Sequence, residues 1–156
     1  MQVEKINKKD VLKLIEKNYG CRIKIRGVFL RTTKEKIWLA SNAIQNFDFG
    51  KVKINSVGLY FGKLKRNDKI QLSIEGSQIV GRFARKNILE LDKKQAMKYL
   101  QGFDVRVEKF ENCEVNNFVI LRFGKDIIGS GILREDGRIE NLLPKTRRLY
   151  LEIKKI

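Results

Sequence analysis

Apolar residues in this chain recur first at helical and then at strand spacing, and the changes of period mark out its elements. Val11, Leu14 and Ile15, with Leu12 beside them, form one helical stripe. Asn7 stands where an N-cap belongs, Asp10 follows three residues on, and Gly20 supplies a stop, so a helix is predicted between Asn7 and Gly20. "CRIKIR" then alternates strictly, with Cys21, Ile23 and Ile25 on one face and Arg22, Lys24 and Arg26 on the other. That pattern predicts a half-buried strand. Val28 and Leu30 follow at the opposite parity, so a bulge is expected at Gly27. "KIWLAS" reads as the next strand, followed by a short helix capped by Ser41 or Asn42, and Val52 and Ile54 begin another strand. Val57, Leu59 and Phe61 continue at period two. "KIQLSI" is predicted to pair with them, because Arg66-Asn67-Asp68 is turn chemistry. The stretch from Gly76 to Ala84 fits a short helix.

A second unit is predicted from Arg85 onward. "KNILEL" reads as a strand. Asp92 caps a helix that buries Ala96, Tyr99 and Leu100 and stops at Gly102. "FDVRVEKF", "NFVILRF", "DIIGSGIL" and "RRLYLEI" read as short strands, with hairpin turns at Gly124-Lys125-Asp126 and Glu135-Asp136-Gly137. The expected fold class is α+β. An N-terminal α/β unit with an antiparallel sheet, residues 1–84, packs on a small mixed β-barrel, residues 85–156. There is no internal repeat and no low-complexity stretch to act as a flexible linker.

Charge changes the picture from architecture to partner. Thirty-four Lys and Arg face eighteen Asp and Glu among 156 residues, a net charge of +16. Such self-repulsion does not help folding, and it fits a polyanionic partner. Nucleic acid is the leading candidate. A membrane is not expected, since no long apolar run or basic amphipathic helix is visible. The plain alternative is a surface solubilised by lysine. The cysteines, Cys21 and Cys113, lie far apart without CxxC spacing and read as small buried hydrophobes. No disulfide is expected, and the chain reads as cytoplasmic.

Histidine is missing altogether. Ser-His and Cys-His catalysis are thereby excluded, and neither a metal site nor a cofactor is expected. No GxxxxGK[ST] loop or strand-borne GxGxxG is present.

Four groups of cations stand out: Arg22, Lys24 and Arg26; Lys63, Lys65, Arg66 and Lys69; Arg82, Arg85 and Lys86; and Lys145, Arg147 and Arg148 behind Pro144, the chain's one proline. Each alone is an ordinary solvated face. Together they offer many weak phosphate contacts that salt would remove. Gly129 and Gly131, two apart in an apolar strand, either allow tight packing in a barrel or let a nucleotide approach bare backbone. Gly102 ends a helix, and Phe103 after it is either a core residue or a platform for an unpaired base.

From about Val57 to Leu149 the order of these motifs resembles the PUA-like RNA-binding domain at the C-terminus of the RsmF/Fmu class of ribosomal RNA 5-methylcytosine methyltransferases. The residues that carry the resemblance are "VGLYFGKLKR", "ILELDKKQAMKYLQG" and "IGSGILREDGRIENLLPKTRRL". The first half, in "KIWLASNAI" and "GLYFGKLKRNDKIQLSI", looks like the N-terminal unit of archaeal and nucleolar PUA proteins of ribosome biogenesis. The family's pattern near the end is a Lys-Asn pair, two aromatic or histidine positions, then Pro-Lys-Gly-Leu-Arg. Asn141, Pro144 and Lys145 match it, and Arg147 or Arg148 takes the part of the final arginine. Glu140, Leu142, Leu143 and Thr146 depart from it.

The resemblance implies a non-catalytic RNA-binding protein of rRNA or tRNA maturation. In the family, methyl transfer belongs to a separate upstream domain with its cysteine in a Pro-Cys setting, and neither cysteine adjoins Pro144. Lys63, Lys65, Arg66, Arg82, Arg85, Lys86, Lys145, Arg147 and Arg148 would then meet phosphates. Asn141 and Pro144 would shape the turn, and Gly102, Phe103, Gly129 and Gly131 would line a groove. The expected partner is rRNA or tRNA, with an RNA methyltransferase or pre-ribosomal proteins as further partners. One alternative is an RNA-binding subunit that serves a methyltransferase in trans. Another is an RNA-modifying enzyme drawing on Asp92, Asp104, Asp126 and Asp136, which show no pair at catalytic spacing. A third is a structural ribosomal protein.

Overall fold

The computed structural model of the protein describes residues 3–43 and 58–150. Its first sheet is an antiparallel meander, β1 (Glu4–Ile6), β2 (Val28–Thr32), β3 (Lys36–Ala40), β4 (Gly58–Lys65) and β5 (Lys69–Leu72), each strand beside the next. Helix α1 (Lys8–Tyr19) lies across one face. Asn7 accepts from the Lys9 amide at its start, and Gly20 closes it in the left-handed conformation. Val11, Ile15 and Tyr19, four residues apart, are fully buried in one cluster with Phe29, Ile37, Phe61 and Ile70. Each such side chain contributes about 1.5–3 kcal/mol by leaving water. The Tyr19 hydroxyl donates to the Ile70 carbonyl at 3.2 Å, and burial raises its pKa above the ordinary phenol range.

Two sequence expectations are corrected in this half. Residues 21–26 alternate in burial as predicted, but they form no strand; the segment lies on the core and pairs with no strand among the described residues. The bulge is not at Gly27, which makes a positive-φ break before β2. It falls in β4, where Tyr60 faces Trp38 and Gly62 faces Ile37, leaving Phe61 as the extra residue. Leu59, opposite Leu39, and Phe61 lie on the core-side face as predicted, and the insertion reverses the alternation only beyond Phe61, so that Gly62 and Leu64 follow on that same face. The turn after β3 starts at residues 42–43, and the rest of the expected helix and the strand at Val52 and Ile54 lie outside the described residues. The β4–β5 turn is as predicted, with Asn67 and Asp68 both at positive φ.

Helix α2 (Ile74–Gly81), capped by Ser73, bridges to the second sheet. That sheet comprises β6 (Ile88–Glu90), β7 (Val105–Arg106), β8 (Asn117–Phe123), β9 (Asp126–Leu133) and β10 (Arg138–Asn141), in the order β6-β8-β9-β10-β7. β6 runs parallel to β8, the other pairs are antiparallel, and the sheet curls into a half-barrel. Helix α3 (Lys93–Leu100) begins with a reciprocal capping box between Asp92 and Gln95. Its Ala96 and Tyr99 fill the barrel with Val119, Leu121, Leu133 and Ile139. The fold is thus α+β with a PUA-like barrel, as the sequence indicated. "GRIEN" supplies a strand that the sequence reading passed over. "RRLYLEI" is not one across the described residues, because Lys145–Arg147 form a 3-10 turn.

The two sheets share contacts. Ile120 of β8 belongs to the buried cluster under α1. Asn87 is completely buried between the halves; its side chain donates to the Asn18 carbonyl at 2.5 Å and accepts from the Glu114 amide at 2.8 Å. Ser130 of β9 donates to the Leu72 carbonyl at 3.2 Å.

Candidate nucleic-acid interface

The turn behind β10 is held by one side chain. Asn141 ends the strand by accepting from the Leu143 amide at 2.7 Å. Its amide group donates to the carbonyls of Tyr99 and Phe103 at 2.7 and 2.8 Å, and its backbone N–H donates to Asp104. The Tyr99 carbonyl, which also accepts from the Gly102 amide, lies in the last turn of α3 and Phe103 lies just beyond it, so these bonds fix the turn to the end of the helix. Leu143 is buried as a plug, and Pro144 then starts the 3-10 turn, with the Arg147 amide bonded to the Pro144 carbonyl at 2.9 Å. Past the turn, the Leu149 amide returns to the Leu100 carbonyl at 2.7 Å. Lys145, Arg147 and Arg148 are therefore carried on a segment anchored at both ends.

Their side chains differ. Lys145 is exposed and forms no ion pair among the described residues. The Arg147 guanidinium donates to Glu75 at 2.8 Å, reaching across to α2. Arg148 donates to the Leu143 carbonyl at 3.2 Å and lies over Gly102, where a Cβ would meet its Cδ at 2.5 Å and its Nε at 2.7 Å. Gly102 has φ 96°, a backbone conformation that favours glycine in the turn out of α3, and the Arg148 side chain takes up the space beside it. Phe103 beside it is 60% exposed, so it is not a core residue.

Gly129 and Gly131 do not line this surface, which corrects the expectation that they do. Both are buried. The space a side chain would need at Gly129 is filled by the Tyr99 ring and hydroxyl, and at Gly131 by Ile139 and the Glu140 carbonyl. Tyr99 donates to the Ser130 carbonyl at 2.7 Å, and burial pushes its pKa up. Gly129 admits a tyrosine into the barrel, and Gly131 admits Ile139.

Glu140, at the family's lysine position, accepts from Arg134 at 2.9 Å and lies 3.4 Å from Arg138. The hydrogen bond from Arg134 holds its carboxyl below the usual range. Asp104 lies 3.3 Å from Arg138 as well, so Glu140 and Asp104 together offset Arg134 and Arg138 beside the turn.

Of the other predicted cations, Lys63 faces Lys36 across β3 and β4, and Lys65 faces Lys69 across the hairpin. Like charges placed opposite each other destabilise a sheet. Arg66 sits in the exposed turn between them. Lys86 pairs with Glu114 at 3.4 Å, and Arg22 with Glu16 at 2.9 Å. Arg85 is tied by its backbone amide to the Tyr19 carbonyl. Arg82 lines a groove of about 890 Å³ together with Phe83, Lys125 and Arg147. Glu75 and Phe83 were missed as site residues by the sequence reading. The aromatic set among cations in "GRFARK" was the available signal for Phe83.

Residues 86–149 match the family model described as the methyltransferase RsmF PUA domain. They form a PUA-like domain of that class. The anchored turn, Gly102 and the Tyr99-filled barrel all lie inside the match. RNA is the partner that a PUA-like domain supports. No curated protein compared with the chain matches it. Among the described residues no helix is long and apolar enough to cross a membrane, and no cluster of three or more Cys, Asp and Glu is set to hold a metal.

Proposed function

We propose that the protein is a non-catalytic RNA-binding protein acting in rRNA or tRNA maturation. The observation that carries this reading is the PUA-like domain with three cations on a turn fastened to α3 by Asn141. Phosphate contacts position an RNA without reading its sequence. Lys145, Arg147 and Arg148 supply such contacts at one end, and Lys63, Lys65 and Arg66 extend them onto the first sheet. Lys63 stands opposite Lys36, and a phosphate there would offset two like charges at once, whereas the Lys69 ammonium opposite Lys65 donates to the Asn116 carbonyl at 2.8 Å. Crosslinking in cells, followed by sequencing of the attached RNA, should return rRNA precursors or tRNAs above their abundance. A recovery that only tracks RNA abundance would defeat the maturation role.

A second arrangement draws on the match to one domain of a methyltransferase. In it the protein lends RNA affinity in trans to a catalytic partner. Co-purification with such an enzyme supports it, and a monomer that binds RNA alone counts against it.

Glu75 modulates the site. Its carboxylate occupies Arg147 where a phosphate oxygen would go, so RNA must displace it. Glu75→Gln should tighten RNA binding by about two- to fivefold, the worth of a partly exposed ion pair. A titration at low salt reads this, and weaker binding by the variant would remove Glu75 from that role.

A further inference from the structure

We propose that the groove between α2 and β9 captures an unpaired nucleotide of single-stranded RNA, with its base stacked on the ring of Phe83. The inference rests on the RNA-binding reading and adds a second element outside the matched domain, since Phe83 precedes residue 86.

Phe83 is 56% exposed, although a large aromatic ring gains most from burial. Its backbone is fixed. The Phe83 and Ala84 amides both bond to the Val80 carbonyl at 3.0 Å, and the Arg85 amide bonds to Tyr19 at 2.8 Å. The end of α2 is pinned as well. Gly81 lies so close to Ile127 of β9 that an added Cβ would sit 2.9 Å from Ile127 Cδ1. The ring therefore stands ready on a rigid support, which lowers the ordering penalty of stacking.

The groove has an apolar floor that includes Leu100 and Leu143, and Arg82, Lys125 and Arg147 at its rim. Two acids also line it. Glu75 is engaged by Arg147, and Asp126 adjoins Lys125 in the β8–β9 turn. Arg82 and Lys125 form no ion pair among the described residues, so the rim presents cations to an incoming anion. A flat apolar surface with cations around it is the pattern that holds single strands, the ring taking the base and the rim the phosphates. Its volume of about 890 Å³ leaves room for a nucleotide. Arg147 belongs both to this groove and to the Pro144 turn, so one strand can run from turn to groove.

The test compares the full chain with Phe83→Ala, Phe83→Trp and Phe83→Leu. The probes are labelled oligouridylate and oligoadenylate, and an RNA duplex of equal length. Phe83→Ala should bind the single strands about tenfold more weakly, with the duplex unchanged. Phe83→Trp should bind them as the parent does. Phe83→Leu keeps apolar bulk without a flat ring; it should resemble alanine, and it serves as the readout if alanine lowers the unfolding temperature. Ultraviolet crosslinks should map to the peptide bearing Phe83. Unchanged single-strand affinity in both the alanine and leucine variants would overturn the groove assignment. Protection of Phe83 by a protein partner but not by RNA would overturn it too. Failure of the parent chain to bind any probe at low salt would instead remove the RNA-binding reading itself.

Discussion

Gly129→Ala should lower stability by about 3–5 kcal/mol, seen as a fall of roughly 10 °C or more in the unfolding temperature. Two effects add. The residue has φ 150°, a backbone region that is costly for an L side chain. The new methyl would also enter the space of the Tyr99 hydroxyl, forcing it away from the Ser130 carbonyl inside a closed barrel. Gly124→Ala is the control. It also has a positive φ, 58°, but nothing lies within 4 Å of its missing Cβ, so it should cost only about 1 kcal/mol. Equal losses for the two variants would show that the fit of Tyr99 against Gly129 is unimportant.

Arg147→Ala combined with Arg148→Ala should weaken RNA binding about a hundredfold at low salt, since hydrogen bonds to charged groups are worth roughly 1.5–3 kcal/mol each. The part of Arg147 is discounted by its release from Glu75. The dependence of log affinity on log salt should flatten by between about one and two units, as two phosphate contacts are lost. Arg148→Lys separates charge from packing. It keeps a stem over Gly102 and a cation at its end, but loses the planar fork. Full affinity in that variant would make Arg148 a simple point charge. A double variant with the parent's salt slope would place both arginines outside the interface.

The ends of the helices could be read in the sequence because caps are local. Asn7 and Gly20 bound α1, and Asp92 with Gln95 opens α3, through bonds spanning a few residues. Strands were harder. "CRIKIR" alternates because one side faces the core, and burial alone does not supply a pairing partner. "GRIEN" has one buried apolar side chain, Ile139, so β10 leaves no alternating trace. In β4 the alternation holds through Leu59 and Phe61 and then reverses, because one inserted residue puts Gly62 and Leu64 on the same face.

At the interface, the turn shaped by Asn141 and Pro144 was visible as a motif. Its tie to Glu75 was not, as it spans 72 residues with no local signature. Gly129 and Gly131 were recognisable as places of close approach. What approaches them depends on Tyr99 and Ile139, which only the closed barrel brings near.

Ile120 and Asn87 set an order on synthesis. The cluster beneath α1 contains Ile120, which is translated well after β5, and Asn18 gains its donor only when Asn87 is in place. A nascent chain released as far as α2 therefore holds an unfinished hydrophobic interior. It can complete that interior only when the β8–β9 hairpin leaves the exit tunnel, and until then the early segment is the part most in need of a chaperone.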